Sequence, residues 1–109
     1  MIRFDEILTT GRKDLLEKKA DILNRCISEY GNKYRELLDI DDIGTFASSK
    51  GLKVIDFDKV ITEASIDEIM KGIKVELEHT DNLFISLVIA LHHLEEHLNY
   101  YIILLKNNL

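Results

Sequence analysis

The chain has 109 residues, 46% apolar and 31% charged, with a net charge of −6; this is one domain's worth of chain, apolar enough for a single core, which excludes both a disordered tail and a membrane protein. It holds no Pro, no Trp and five Gly, and a Pro-free chain of this length points to helices, because loops and sheet edges are where Pro collects. Residues 1–50 carry nine basic and ten acidic side chains and residues 51–109 carry five and ten, so the second half repels phosphate and nucleic acid is not an expected partner.

The single cysteine, Cys26, closes no internal disulfide and suggests no oxidising compartment. The start, Met1-Ile2-Arg3-Phe4-Asp5-Glu6, bears acid where a signal peptide needs a cationic, apolar run. Leu83 to Leu91, the longest apolar stretch, is about half of a membrane span. The expectation is a cytoplasmic protein without a membrane partner.

Between Arg12 and Tyr30, Leu15, Leu16, Ile22, Leu23, Cys26, Ile27 and Tyr30 recur at helical spacing. Gly31-Asn32 reads as a stop, yet Tyr34, Leu37 and Leu38 continue the face, so the helix can also run through. A second helix is expected from Asp41 or Asp42, whose carboxylate can cap it, to Lys50-Gly51. Leu52 to Val60 alternates only partly and is read as a packed connector, since a lone strand has no pairing partner.

Ser65-Ile66-Asp67-Glu68 spells a capping box, with the serine hydroxyl on a backbone amide and the glutamate reaching back to the serine amide. Ile66, Ile69, Met70, Ile73 and Leu77 give the following helix, expected to end near His79-Thr80, its apolar stripe. Thr80 or Asp81 then caps a last helix from about Asn82 to Lys106, apolar almost all round from Leu83 to Leu91, the pattern of a helix buried centrally or at an interface. The expected fold is all-α: a small single-domain bundle of four to five helices, with N-terminal helices in residues 1–50 and a C-terminal helical hairpin in residues 65–106.

Every histidine, namely His79, His92, His93 and His97, lies in the last third beside Glu76, Glu78, Glu95 and Glu96, with Tyr100 and Tyr101 a turn further on. Glu76 and His79 share a helix face, as do His93 with Glu96 and His93 with His97. Glu-x-x-His pairs projecting into bundles hold metal pairs, and His with carboxylate also suits zinc, so a divalent transition metal is one reading. The competing reading is a polar network of histidine, glutamate and tyrosine that fixes helix register, and a third is a ligand site using a tyrosine ring. Register speaks against a compact metal site: His93 lies roughly 16 Å along the last helix at ~1.5 Å per residue, while His79 sits at the turn. One of the adjacent Tyr100 and Tyr101 is expected to face in and the other out. Cys26, beside Leu23 and Ile27, reads as a small buried hydrophobe. No phosphate loop, nucleophile elbow or paired cysteines occur.

Gly72-Ile73-Lys74-Val75-Glu76-Leu77-Glu78-His79, followed by Ile89-Ala90-Leu91-x-His93-Leu94-x-Glu96-x-x-x-Tyr100-Tyr101, resembles an uncharacterised family of bacteria and their phages over about residues 65–105. The resemblance implies that Glu76, Glu78, His79, His93, Glu96, Tyr100 and Tyr101 are the polar positions to watch. It implies no activity. It places the protein in a bacterial host cytoplasm or a virion. Leu98 stands where that pattern tends to have Pro, which predicts a straight last helix here. Thr80 stands in place of the usual Gly.

The preferred functional expectation is a non-enzymatic helical protein–protein interaction module, such as a phage accessory component or a homo-oligomer. It is motivated by more apolar surface than a small bundle covers, with Leu83, Phe84, Leu87, Ile102, Ile103 and Leu105 as interface candidates. The alternative is a metal-binding helical protein using His79, His93 and neighbouring glutamates.

Overall fold

A computed structural model describes the backbone of residues 4–107 and the side chains of residues 14–106. The first helix, α1 (Phe4–Tyr30), buries Ile22 and Cys26, which are four residues apart, and leaves Leu16 and Ile27 exposed. Gly31, at φ +58°, ends it, because the left-handed backbone there suits glycine. The chain continues as a 3-10 helix over Gly31–Leu37 that buries Leu37, so the stop and the continued face both exist. A short 3-10 turn at Ile40–Asp42 leads into α2 (Ile43–Ser49). Asp42 holds the N-cap position without making a side-chain cap bond, contrary to the capping role expected for Asp41 or Asp42. Gly51, at φ +70°, turns the chain out of α2.

The connector is half helix. After an extended stretch, Asp56 accepts the amide of Lys59 at 3.2 Å and starts α3 (Phe57–Glu63). Ser65 Oγ accepts the Glu68 amide at 3.1 Å and starts α4 (Ile66–Glu76), and Asn82 Oδ1 accepts the Ile85 amide at 2.8 Å and starts α5 (Leu83–Glu96). A second group also holds the start of α5: the Glu36 carboxylate accepts the Leu83 amide at 2.9 Å, tying the end of the N-terminal region to the central helix.

The last helix is not continuous. It breaks at residues 97–99, where His97 is extended (φ −157°, ψ 110°), and resumes as α6 (Tyr100–Asn107). The described residues thus form six α-helices with two 3-10 segments, more than the four to five expected, and no strands. The straight last helix predicted from Leu98 is corrected: the chain bends without a proline, for a reason that lies in α4.

Leu83, Phe84, Leu87, Val88, Ala90, Leu91 and Leu94 of α5 are all buried inside this one chain. α5 is the central pillar, packed by α4, by α3 and by the 3-10 segment after α1, with Phe46 of α2 stacked on Phe84 at 3.9 Å between ring centroids. Leu83, Phe84 and Leu87 are therefore core, not surface. The expectation that this run marks an interface is corrected, because the bundle has enough helices to surround it. Around the pillar, α1 is clamped by charge: Lys18 Nζ donates to the carbonyls of Thr62 and Ala64 at the end of α3, and Lys19 Nζ lies 3.2 Å from Asp41 and 3.1 Å from Asp58.

Candidate functional site: a polar cluster beneath the last helix

The row Glu68, Gly72, Glu76 runs along α4 at four-residue spacing, so two carboxylates flank a position without a side chain on one helix face. A Cβ at Gly72 would lie 2.6 Å from Cε2 of Tyr101 and 2.8 Å from Cβ of Ala90. Glycine is therefore required for α4, α5 and α6 to meet, and the Tyr101 ring fills the notch it leaves.

The carboxylates do different work on the same tyrosine residue. Glu68, buried to 2% exposure, accepts the amides of Tyr101 at 3.2 Å and Ile102 at 3.1 Å, one on each oxygen. These are amides of the first turn of α6, which have no partners within their own helix, so a side chain of α4 caps α6 across the fold with charge of the favourable sign. Glu76 accepts the Tyr101 hydroxyl at 2.9 Å, and His93 Nε2 approaches the same oxygen at 3.7 Å. The His93 ring stacks on Tyr100 with centroids 4.6 Å apart and planes 5° from parallel, and Tyr101 stands edge-on to both rings. Burial first, and then the hydrogen bond to the Glu76 carboxylate, hold the Tyr101 phenol far above its ordinary range.

Among the residues singled out from sequence, Glu76, His93, Tyr100 and Tyr101 come together, with Tyr101 fully buried and Tyr100 half-buried. Glu78, His79 and Glu96 are exposed and stand apart from this cluster. Glu76 is the inward member of the Glu76/Glu78 pair. His79 lies beyond the end of α4, so the Glu76–His79 pairing on one helix does not form. His97 uses Nδ1 to accept the Asn99 amide at 3.2 Å within the break, and His92 Nε2 donates to the Lys53 carbonyl at 2.7 Å.

Glu68 was not among the sequence candidates. The capping-box reading assigned its carboxylate to the Ser65 amide, and that is corrected: only the serine half of the box forms, because the two amides of α6 take the glutamate. Its legible signal was the four-residue spacing Glu68-Gly72-Glu76.

Chemically the cluster is occupied with itself. Among the described residues every buried side-chain nitrogen and oxygen has a partner, and no three His, Cys, Asp or Glu side chains gather as a metal would need. Cys26 is pushed up to about 12 by burial foremost and by the Glu29 carboxylate, so its thiolate is disfavoured at neutral pH. A surface groove of about 350 Å³ between α3 and the end of α5, floored by Val60 and Leu94, contains none of the cluster's side chains. No helix among the described residues is long and apolar enough to cross a membrane.

The family described as "Protein of unknown function (DUF5661)" matches residues 47–107, more than half of the chain and all of α3 to α6. The chain belongs to that family. Its matched region contains the whole Glu68–Gly72–Glu76 row and the helix this row holds. No curated protein and no solved structure matches the chain.

Proposed function

We propose that this protein is a non-enzymatic helical interaction module whose docking element is α6, presented to a protein partner or to another copy by the polar cluster beneath it. The observation that carries the reading is the exposure of apolar side chains at this end of the molecule: Leu98, Ile103 and Leu105 are 41%, 43% and 40% exposed. Tyr101 and Leu104 meanwhile turn toward the bundle. A helix fixed on one side by a buried carboxylate cap and a tyrosine in a notch, and apolar on the other, suits recognition better than chemistry. The buried carboxylates are consumed in positioning it.

The test is a paired measurement on the wild type and an Ile103→Glu/Leu105→Glu variant. The wild type is expected to sediment as a concentration-dependent self-associating species and to bind a hydrophobicity-reporting dye. The variant, with unchanged helical content, is expected to do neither. A wild type that stays monomeric at millimolar concentration and binds no dye overturns the reading.

A metal-binding reading rests on one observation, the convergence of Glu76 Oε1 and His93 Nε2 on the partly exposed side of the cluster. It predicts a transition metal near one per chain in untagged protein, lost on chelation and in His93→Ala. Metal at background levels removes it.

A further inference from the structure

The groove of about 350 Å³ between α3 and the end of α5 takes no part in holding α6. Val60 and Leu94 form its floor, and the break at residues 97–99 leaves Leu98 on its lip, 41% exposed. Its charged side chains are four carboxylates, Asp56, Glu63, Glu95 and Glu96, against one ammonium, Lys59. Asp56 has a structural use as the cap of α3. Glu63, Glu95 and Glu96 have no such use: among the described residues, no cation lies within ion-pair distance of them.

Glu95 and Glu96 also stand where a carboxylate costs stability. They are the last two residues of α5, and a helix C-terminus already carries partial negative charge on its unpaired carbonyls. The sequence supplies no Lys or Arg between Lys74 and Lys106 to offset it. At the end of α3 the chain does the opposite, since Lys18 donates to the carbonyls of Thr62 and Ala64. The negative potential beside Leu98 is thus uncompensated among the described residues and adjoins exposed apolar surface. Its complement is a cation with an apolar neighbour.

We propose that this groove binds a basic amphipathic segment of a partner protein, with an apolar side chain against Leu98, Val60 and Leu94 and lysine or arginine side chains on Glu63, Glu95 and Glu96. A small polyamine would answer the carboxylates but leave Leu98 uncovered. The acids also continue past the groove, because Asp56 lines a second hollow of about 180 Å³ whose other carboxylates are Asp41 and Asp58. There Lys19 of this chain already buries its stem and sets its ammonium between two carboxylates, the contact that the partner's cations repeat in the first groove. The proposal goes beyond the reading of α6, since Ile103 and Leu105 do not line the groove.

The probe is a dye-labelled peptide of leucine and lysine at amphipathic helical spacing, titrated against the full chain at low salt and followed by fluorescence anisotropy. Saturable binding is expected, weakened by about fivefold or more in Glu95→Gln/Glu96→Gln and in Leu98→Ser. Glu95→Gln/Glu96→Gln is also expected to unfold at higher urea than the wild type, because the last turn of α5 loses two charges of the wrong sign. Its weaker binding is then not a folding defect. Glu78→Gln/Asp81→Asn, which removes the same charge at the opposite end of α5, and Ile103→Ser/Leu105→Ser are expected to bind as the wild type does. Equal weakening at Glu78 and Asp81, or none at Leu98, means general attraction to an acidic surface and overturns the groove. Loss in Ile103→Ser/Leu105→Ser alone puts the peptide on α6, which overturns the groove while supporting the α6 reading. Displacement of the peptide by spermine at equal concentration makes the site one for small polyamines and overturns the peptide as its occupant. Absence of binding overturns the proposal outright and leaves the test on Ile103 and Leu105 untouched.

Discussion

Charged side chains hold both ends of this molecule together, but by different physics. Around α1 the acidic partners are on the surface: Lys19 meets Asp41 and Asp58, which are both largely exposed, and Arg25 meets Asp67 with both groups in water. Beneath α6 the acids are buried: Glu68 holds two backbone amides, and Glu76 holds a phenol that water does not reach. Solvent screens the first kind of contact and excuses its loss. The second kind leaves a buried donor or acceptor stranded when one partner is removed. The lesson is that carboxylates mark tolerance at one end and precision at the other, and substitutions should separate them.

The largest effect is expected at Glu68. Glu68→Ala removes both acceptors from the first turn of α6, stranding two amides beside a buried ring, and should cost about 2–4 kcal/mol in urea unfolding. Hydrogen exchange should show it locally, with the Tyr101 and Ile102 amides exchanging far faster while those of α5 follow the global loss. Glu68→Gln retains one carbonyl acceptor and should lose clearly less. Equal losses in the two variants would mean that the cap is not what holds α6.

Gly72→Val comes next. Its branched Cβ meets the Tyr101 ring at 2.6 Å and the Ala90 methyl at 2.8 Å, on two sides at once, so overpacking should cost about 2–3 kcal/mol by chemical denaturation. The same substitution at half-buried Gly44, whose Cβ would find only Val54 at 4.0 Å, should cost far less. That contrast isolates the notch from the general behaviour of glycine in helices.

The two ends also differed in how far they could be read from the sequence. The helical class, the serine half of the capping box and the apolar run from Leu83 to Leu91 as the pillar all follow from spacing along one chain. What did not follow was whatever depends on a partner in another element. Glu68 looked like a local cap because its neighbours in sequence satisfied that pattern, and only α6 arriving from 33 residues away claims it. Leu98 looked helical because it is, by propensity, and the break it sits in is imposed by α4. Leu83, Phe84 and Leu87 looked too apolar for a small bundle because the short helix α3 inside the connector, which packs on α5, is faint in the pattern.

Alkaline pH sharpens the comparison without any change in the fold. Cys26, raised from 9.0 to about 12, and Tyr101, raised above its ordinary 10.0, are both kept neutral by burial. Each therefore contributes stability that is fully present below its unfolded pKa and is lost as the pH rises toward the folded one. Stability should be flat up to about pH 8.5 and then fall. The slope approaches about 1.4 kcal/mol per pH unit for each group titrating only in the unfolded chain, first for Cys26 and from pH 10 for Tyr101 as well. Tyr30, raised by burial, adds to the fall in the same direction. Urea midpoints at pH 8, 9.5 and 10.5 check this, with Cys26→Ala flattening the first step and Tyr101→Phe the second.

The smallest effect is expected where a charge looks most indispensable. Lys19 is 6% exposed and bridges the 3-10 turn before α2 and the first turn of α3 through Asp41 and Asp58, so it reads at first as a buried charge like the carboxylates under α6. Its stem lies on the same face of α1 as Leu15, Ile22 and Cys26, where four methylenes pack as an aliphatic side chain would, while its partners remain in water and lose little when left alone. Lys19→Met keeps the stem and removes the charge, and it should change stability by less than about 1 kcal/mol. Lys19→Ala, which also empties the packing, should cost about 1–2 kcal/mol more. If Lys19→Met proved as damaging as Glu68→Ala, the pairs around α1 would belong with those beneath α6, and solvent access to the partner would not be what separates the two ends.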